Sequence, residues 1–185
     1  MNFQKTYENF IAVKRIEGLS YHEAAHEGFQ QHHIIPRSFG GHRGKNLACL
    51  TDYDHGYAHL LLNLALLQQG REPLDCGSRR SLKNGNLNLL TYWNPLSKVK
   101  IKVTYYNNWK FLPGKWNTSE VLTLKEASKL LHKLWQYSNG NKVFKGSVIS
   151  KRRKNCLVMN ILDIATKSSE KARKSHGVKF ECVFD

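Results

Sequence analysis

The sequence predicts a mixed α+β protein, and three stretches predict it. Residues 29–69 read as strand, loop, strand and helix in that order. Residues 98–106, KVKIKVTYY, alternate lysine with apolar side chains as a strand does. Residues 123–136 open on Thr-Leu-Lys-Glu and continue as an amphipathic helix. Strands and helices come in groups rather than in a regular β-α-β alternation, which is the pattern of an α+β chain.

At the N-terminus, Phe3, Tyr7, Phe10, Ile11 and Val13 recur near helical spacing over 3–17, and Gly18 is a natural stop. Ser20 is placed to cap a second, short helix over 23–27. Gly28 interrupts that pattern, and 29–35 is extended because Pro36 pushes Ile35 out of the helical region. Residues 37–46, RSFGGHRGKN, form a loop with three glycines and three basic residues. Residues 47–50 are short and apolar, a second strand able to pair back on the first. Thr51 or Asp52 caps a helix over 52–69 that Gly70 stops, with Tyr57, Leu60, Leu61, Leu64 and Leu67 as its buried face.

Residues 71–86 are polar and rich in turn formers, which makes them a linker candidate. A basic and aromatic stretch follows, with Trp109 and Trp116 expected as core anchors. The lysine face of 98–106 either tracks phosphates or keeps an edge strand soluble. Leu124, Ala127, Leu130, Leu131, Leu134 and Trp135 make the apolar stripe of the 123–136 helix, which Asn139-Gly140 ends. Residues 147–154 read as a short basic helix, and VKFECVF at 178–184 as extended. The pattern N-L-x-x-L-T occurs at 46–51 and again at 86–91; the second copy lacks flanking histidines and reads as an echo without chemistry.

Composition narrows the partners. Lys and Arg number 29 against 14 acids, a formal charge of +15 over 185 residues. Such a surplus repels itself and suits a polyanion, nucleic acid first of all. Cys49, Cys76, Cys156 and Cys182 are widely spaced with no C-x-x-C pair, which argues against a zinc ribbon or a disulfide framework. Cys49 lies in an apolar run and is expected buried. No apolar run approaches the roughly 18 residues that span a bilayer, and the first ten residues lack the apolar centre of a signal peptide. A reducing, cytoplasmic setting is the default expectation.

Histidine is concentrated in 31–62, QHHIIPRSFGGHRGKNLACLTDYDHGYAHLLL. His55 and His59, four apart on a helix, share a face and can hold one metal ion. Alone they would read as surface histidines; His32, His33 and Asn46 give them weight. Neighbours on a strand point to opposite sides. If His32 faces the helix it completes a three-histidine site with open positions, and His33 looks away, free to act on a water molecule. Three imidazoles favour zinc, nickel or manganese over magnesium, which prefers oxygen ligands. His22, His26 and His42 are expected to be exposed or to cap helices.

These residues resemble the HNH endonucleases, most closely those of phage and intron homing endonucleases. The likeness rests on H-H-I-I-P-R-S-x-G-G from His32 to Gly41, N-L at Asn46, L-T at Leu50, and D-H-x-x-A-H-L-L-L from Asp54 to Leu62. It implies a ββα-metal finger with flanking helices, occupying 1–75. It implies His32, His55 and His59 as metal ligands, His33 as the general base and Asn46 as the residue that bonds across the loop to fix His33. It also implies one divalent ion, magnesium first, with manganese or zinc able to serve.

The resemblance makes the expected activity site-selective hydrolysis of double-stranded DNA to a 5′-phosphate and a 3′-hydroxyl, by a monomer or a homodimer. Arg37, Arg43 and Lys45 in the loop are candidate phosphate contacts. Residues 76–120 would be a basic, aromatic linker and strand segment. Residues 121–185 would be a small helical, helix-turn-helix-like DNA-binding module, with Lys151, Arg152 and Arg153 entering the major groove. The competing expectations are a less selective nuclease of restriction or toxin type, and a non-catalytic DNA-binding protein that keeps the finger as scaffold.

Overall fold

A side-chain cap starts the first helix. In the computed structural model, which describes residues 1–16, 21–74, 96–106, 113–137, 165, 174–175 and 177–184, α1 runs Phe3–Lys14 and the Asn2 side chain accepts from the Lys5 N–H at 3.0 Å. Phe3, Tyr7 and Ile11 form its buried face. Phe10 meets Tyr57 edge-on at 5.0 Å between ring centres. The second helix, α2, is Tyr21–His26.

The described residues form two compact units, residues 2–65 in one, Met1 and the residues from 66 onward in the other. In the first unit, β1 (Phe29–His33) pairs antiparallel with β2 (Leu47–Thr51), setting His32 opposite Ala48 and His33 opposite Leu47. The loop between them carries a single 3-10 turn at Arg37–Phe39. Then α3 spans Asp52–Gln68. Thr51 starts it as a cap: its hydroxyl accepts from the Asp54 N–H at 3.2 Å and donates to the Asp54 carboxylate at 3.0 Å.

The helix stops at Gly70, whose φ of 71° few other residues tolerate. The Gly70 N–H donates to Leu67 O and the Arg71 N–H to Leu66 O, which satisfies two of the last turn's carbonyls. Burial on α3 is wider than the stripe the sequence suggested. Ala58, Leu62, Ala65 and Leu66 are buried beside Tyr57, Leu60, Leu61 and Leu64, whereas Leu67 is half-buried.

The second unit is a four-stranded antiparallel sheet in the order β4-β3-β6-β5, with β3 at Lys100–Tyr105, β4 at Ser119–Thr123, β5 at Lys174–Ser175 and β6 at Val178–Val183. Its helix α4, Leu124–Tyr137, packs against β3 and β4. The capping box is formed: the Thr123 N–H donates to Glu126 Oε2 at 2.9 Å and the Glu126 N–H to Thr123 Oγ1 at 3.3 Å. Leu124, Ala127, Leu130, Leu131 and Leu134 are buried, as their spacing predicts. So are Ile101, Val103 and Tyr105 of β3, while Lys100 and Lys102 are exposed.

Three expectations change here. β3 is not an edge strand: it lies between β4 and β6, so its lysines are not needed to blunt an edge. The 178–184 tail does not end a separate helical module, because β6 pairs with β3 along its length and draws the 76–120 and 121–185 segments into one sheet. Trp116 is 59 % exposed rather than a core anchor. Trp109, the second N-L-x-x-L-T copy, the 147–154 helix and most of the 71–86 linker lie outside the described residues. Among those described, no helix is long and apolar enough to cross a membrane.

Candidate metal centre and adjoining cleft

Strand alternation divides the two adjacent histidines. His32 is fully buried, and His33, next along β1, is half-buried. The buried imidazole meets α3, where the four-residue spacing sets His55 and His59 on one face. One ring nitrogen from each of His32, His55 and His59 lies within 4.8 Å of the others. Ring centres are 4.7 Å apart for His32 and His59, 5.2 Å for His32 and His55, and 4.9 Å for His55 and His59.

Hydrogen bonds behind the rings define what they present. The Tyr7 hydroxyl lies 2.8 Å from His32 Nε2 and donates to Ile34 O at 2.8 Å. His32 Nδ1 is buried and has no hydrogen-bond partner. On His55, Nδ1 is 2.5 Å from Gln30 Oε1, an acceptor, which leaves Nε2 as a lone pair 3.1 Å from His59 Nε2. Two nitrogens bound tetrahedrally to one ion at zinc-like bond lengths sit about 3.3 Å apart. The donor set therefore fits a divalent ion: one buried and two half-buried imidazoles, a lone pair otherwise unsatisfied, and outer partners on two of the three rings.

Electrostatics agree with neutral rings. Burial, reinforced by His59, His55 and His33, lowers His32 to about 2. Burial also lowers His55, with Asp52 pulling the other way. Burial of the Tyr7 phenol, with Glu8 nearby, raises its pKa, so it stays protonated.

His33 belongs to the opposite side of β1 yet borders a cleft of about 550 Å³ that His55 also lines. Arg37, Arg43, Asp52 and Gln30 line it too. The Arg37 Nε–H donates to His33 Nε2 at 3.1 Å. Desolvation and then the Arg37 and Arg43 charges lower the His33 pKa, favouring the neutral base form. Lys45 is exposed in the same loop but does not line the cleft.

Asn46 bonds across the loop, though to backbone rather than to His33. Its Oδ1 accepts from the Ile35 N–H at 2.7 Å and its Nδ2 donates to Ile35 O at 2.9 Å, while the Ile34 N–H donates to Asn46 O at 2.9 Å. This clamp holds the chain two residues after His33. Gly41 is required beside it, since a Cβ there would fall 1.8 Å from Ile35 O and 2.7 Å from Asn46 Nδ2.

The structure thus brings His32, His55 and His59 together and sets His33, Arg37 and Arg43 around the neighbouring cleft. Lys151, Arg152 and Arg153 lie outside the described residues. Tyr7 and Gln30 join the site although no sequence motif singles them out. Tyr7 counts in the sequence only as an apolar helix position, although a buried phenol needs a partner, which is the available signal. Gln30 shares the His32 face of β1 at a spacing of two, a weaker cue. Comparison with protein-family models, curated proteins and solved structures finds no match to this chain.

Proposed function

We propose that the protein is a metal-dependent, site-selective DNA endonuclease of the HNH homing type, and that the β1–loop–β2–α3 segment is its ββα-metal finger. The observation that carries this reading is the pairing of a three-histidine cluster, His32 buried and His55 and His59 half-buried, with a cleft lined by a further histidine, His33, and two arginines. A structural metal site alone would leave His33, Arg37 and Arg43 without a purpose.

His32 Nδ1, His55 Nε2 and His59 would hold one divalent ion. When bound, that ion supplies positive charge against the scissile phosphate and the departing 3′ oxygen. The chain's own residues do the rest. Arg37 and Arg43 hold the phosphate in the cleft as forked donors. Their charge also keeps the His33 imidazole neutral, ready to take a proton from the attacking water. Arg37 occupies His33 Nε2 in the free protein; a bound phosphate draws the guanidinium away and releases that lone pair. Asn46 and Gly41 hold the Ile35 backbone so that His33 stays at the cleft. Chemistry of this kind yields a 5′-phosphate and a 3′-hydroxyl. Affinity and sequence choice would come from the sheet-and-helix unit and from Lys151, Arg152 and Arg153.

The test is cleavage of supercoiled plasmid with magnesium, manganese or zinc supplied in turn, followed by sequencing of the ends from digested genomic DNA. A single long recognition site is the expected result. Scattered cuts would mean a less selective nuclease. DNA binding without cutting under every metal would overturn the enzymatic reading in favour of a binding protein.

A further inference from the structure

Tyr7 is outside the three-histidine group, yet its hydroxyl touches one of that group's rings, at His32 Nε2. Its hydroxyl has one hydrogen. Ile34 O, 2.8 Å away, can only accept, so that hydrogen is committed to the carbonyl. The contact of 2.8 Å to His32 Nε2 is then satisfied only when Nε2 carries a hydrogen and donates to the phenol oxygen. His32 Nδ1 is left as a bare lone pair in a fully buried ring, without a hydrogen-bond partner, and the ring itself lies 4.7 Å from His59 and 5.2 Å from His55 between centres.

We infer that Tyr7 is a positioning residue that locks His32 in its Nε2–H tautomer and so makes Nδ1 the ligating atom for a divalent metal ion. The inference rests on the three histidines forming one metal site, but not on what the cleft binds or cuts. Gln30 acts on His55 in the opposite sense, taking the Nδ1 hydrogen and leaving Nε2. The site is therefore a mixed one, with Nδ1 offered from the strand and Nε2 from the helix. The relay also ties α1 to the site through one hydroxyl: Tyr7 holds His32 at one end and the Ile34 carbonyl, next to the Asn46 clamp, at the other. Outer partners of this kind are worth about 10- to 100-fold in metal affinity.

The experiment uses the full chain, with zinc and cobalt ions as probes. Long-range proton–nitrogen NMR on the metal-free wild type should show His32 as the Nε2–H tautomer. Added zinc should shift Nδ1, not Nε2, to the range of a bound nitrogen. Tyr7→Phe keeps the ring and should bind zinc about 10- to 100-fold more weakly, with an altered cobalt absorption spectrum. Wild-type His32 ligated through Nε2, or a folded Tyr7→Phe chain with affinity within about twofold of wild type, would overturn the role of Tyr7. If Tyr7→Phe does not fold, the wild-type NMR result decides alone. A wild-type chain that binds neither ion overturns the three-histidine site itself, and this inference with it.

Discussion

In the sheet-and-helix unit, Tyr105 donates to Glu120 Oε1 at 2.5 Å and Lys115 to Glu120 Oε2 at 2.5 Å, so both carboxylate oxygens are matched by donors within one hairpin. In the unit of residues 2–65, Tyr7, Gln30, His32, His55 and His59 form a comparable knot of polar side chains, but His32 Nδ1 is left without a partner. The first network closes on itself and stabilises a β3–β4 connection. The second is satisfied on its outer side and open on its inner side. A buried polar group without a partner costs about 1–3 kcal/mol, and folding tolerates such a cost where a ligand can supply the missing contact. Closure marks structure, and the open side marks a candidate site.

The largest way to break this contrast is at the cleft. His33→Ala should lower DNA cleavage by about 10²- to 10⁴-fold while zinc affinity, read by calorimetry, stays as in wild type; unchanged cleavage would remove His33 from the chemistry. Metal addition comes next. Zinc at about a hundredfold over its dissociation constant should stabilise the chain by about 2.7 kcal/mol, an increase that a chelator reverses and that His55→Ala abolishes. His59→Ala should weaken binding without the complete loss seen at His55. Glu120→Gln, in the closed network, should cost about 1–3 kcal/mol in denaturant unfolding and leave the zinc-dependent increase intact. If Glu120→Gln altered zinc binding, the separation between the two networks would fail.

Gly41→Ala tests the clamp beside the cleft. Its Cβ would collide with Ile35 O, so a loss of about 1–3 kcal/mol is expected, together with reduced cleavage and unchanged zinc affinity.

The subtlest distinction is in pH, measured on chelator-treated protein. His32 falls from an ordinary 6.5 to about 2 on folding. The unfolded chain therefore takes up the proton first, and the stability held in the neutral ring is whole above about pH 6.5 and drains as pH falls toward 2. Glu120 is also lowered, by its bonds from Lys115 and Tyr105, from an ordinary 4.5. Its contribution is whole above about pH 4.5 and is lost as pH falls through its folded value. Between pH 6.5 and 4.5 the lowered histidines, His32 and His55 of the cluster and His33 at the cleft, should lose stability while Glu120 does not, with a slope near 1.4 kcal/mol per pH unit for each proton. His32→Gln should reduce the slope in that interval, and Glu120→Gln should reduce it only in the range below.

Much of the fold was legible because its signals are local. Thr51 caps a helix through its own side chain, Thr123 and Glu126 close a box within four residues, and Gly70 stops α3 through its backbone freedom. The alternation of 100–105 carried the strand and its buried face. Its place in the sheet was not legible, since the neighbour on one side, β6, comes from residues more than seventy positions later, and no periodicity records a partner that distant. The same limit explains Trp116, whose size suggested burial while its position in the β3–β4 connection leaves it exposed.

The site divides in the same way. Period-two alternation on β1 and the four-residue spacing on α3 determined that His32, His55 and His59 could converge while His33 could not join them. Which nitrogen each ring offers was decided only in three dimensions, by a phenol from α1 and an amide from β1. So was the partner of Asn46, the backbone of Ile35 rather than His33. Residue type and spacing set which side chains can meet, because they act through bonds along one element. Tautomer and orientation depend on donors and acceptors from other elements, and those are matched only when the chain packs.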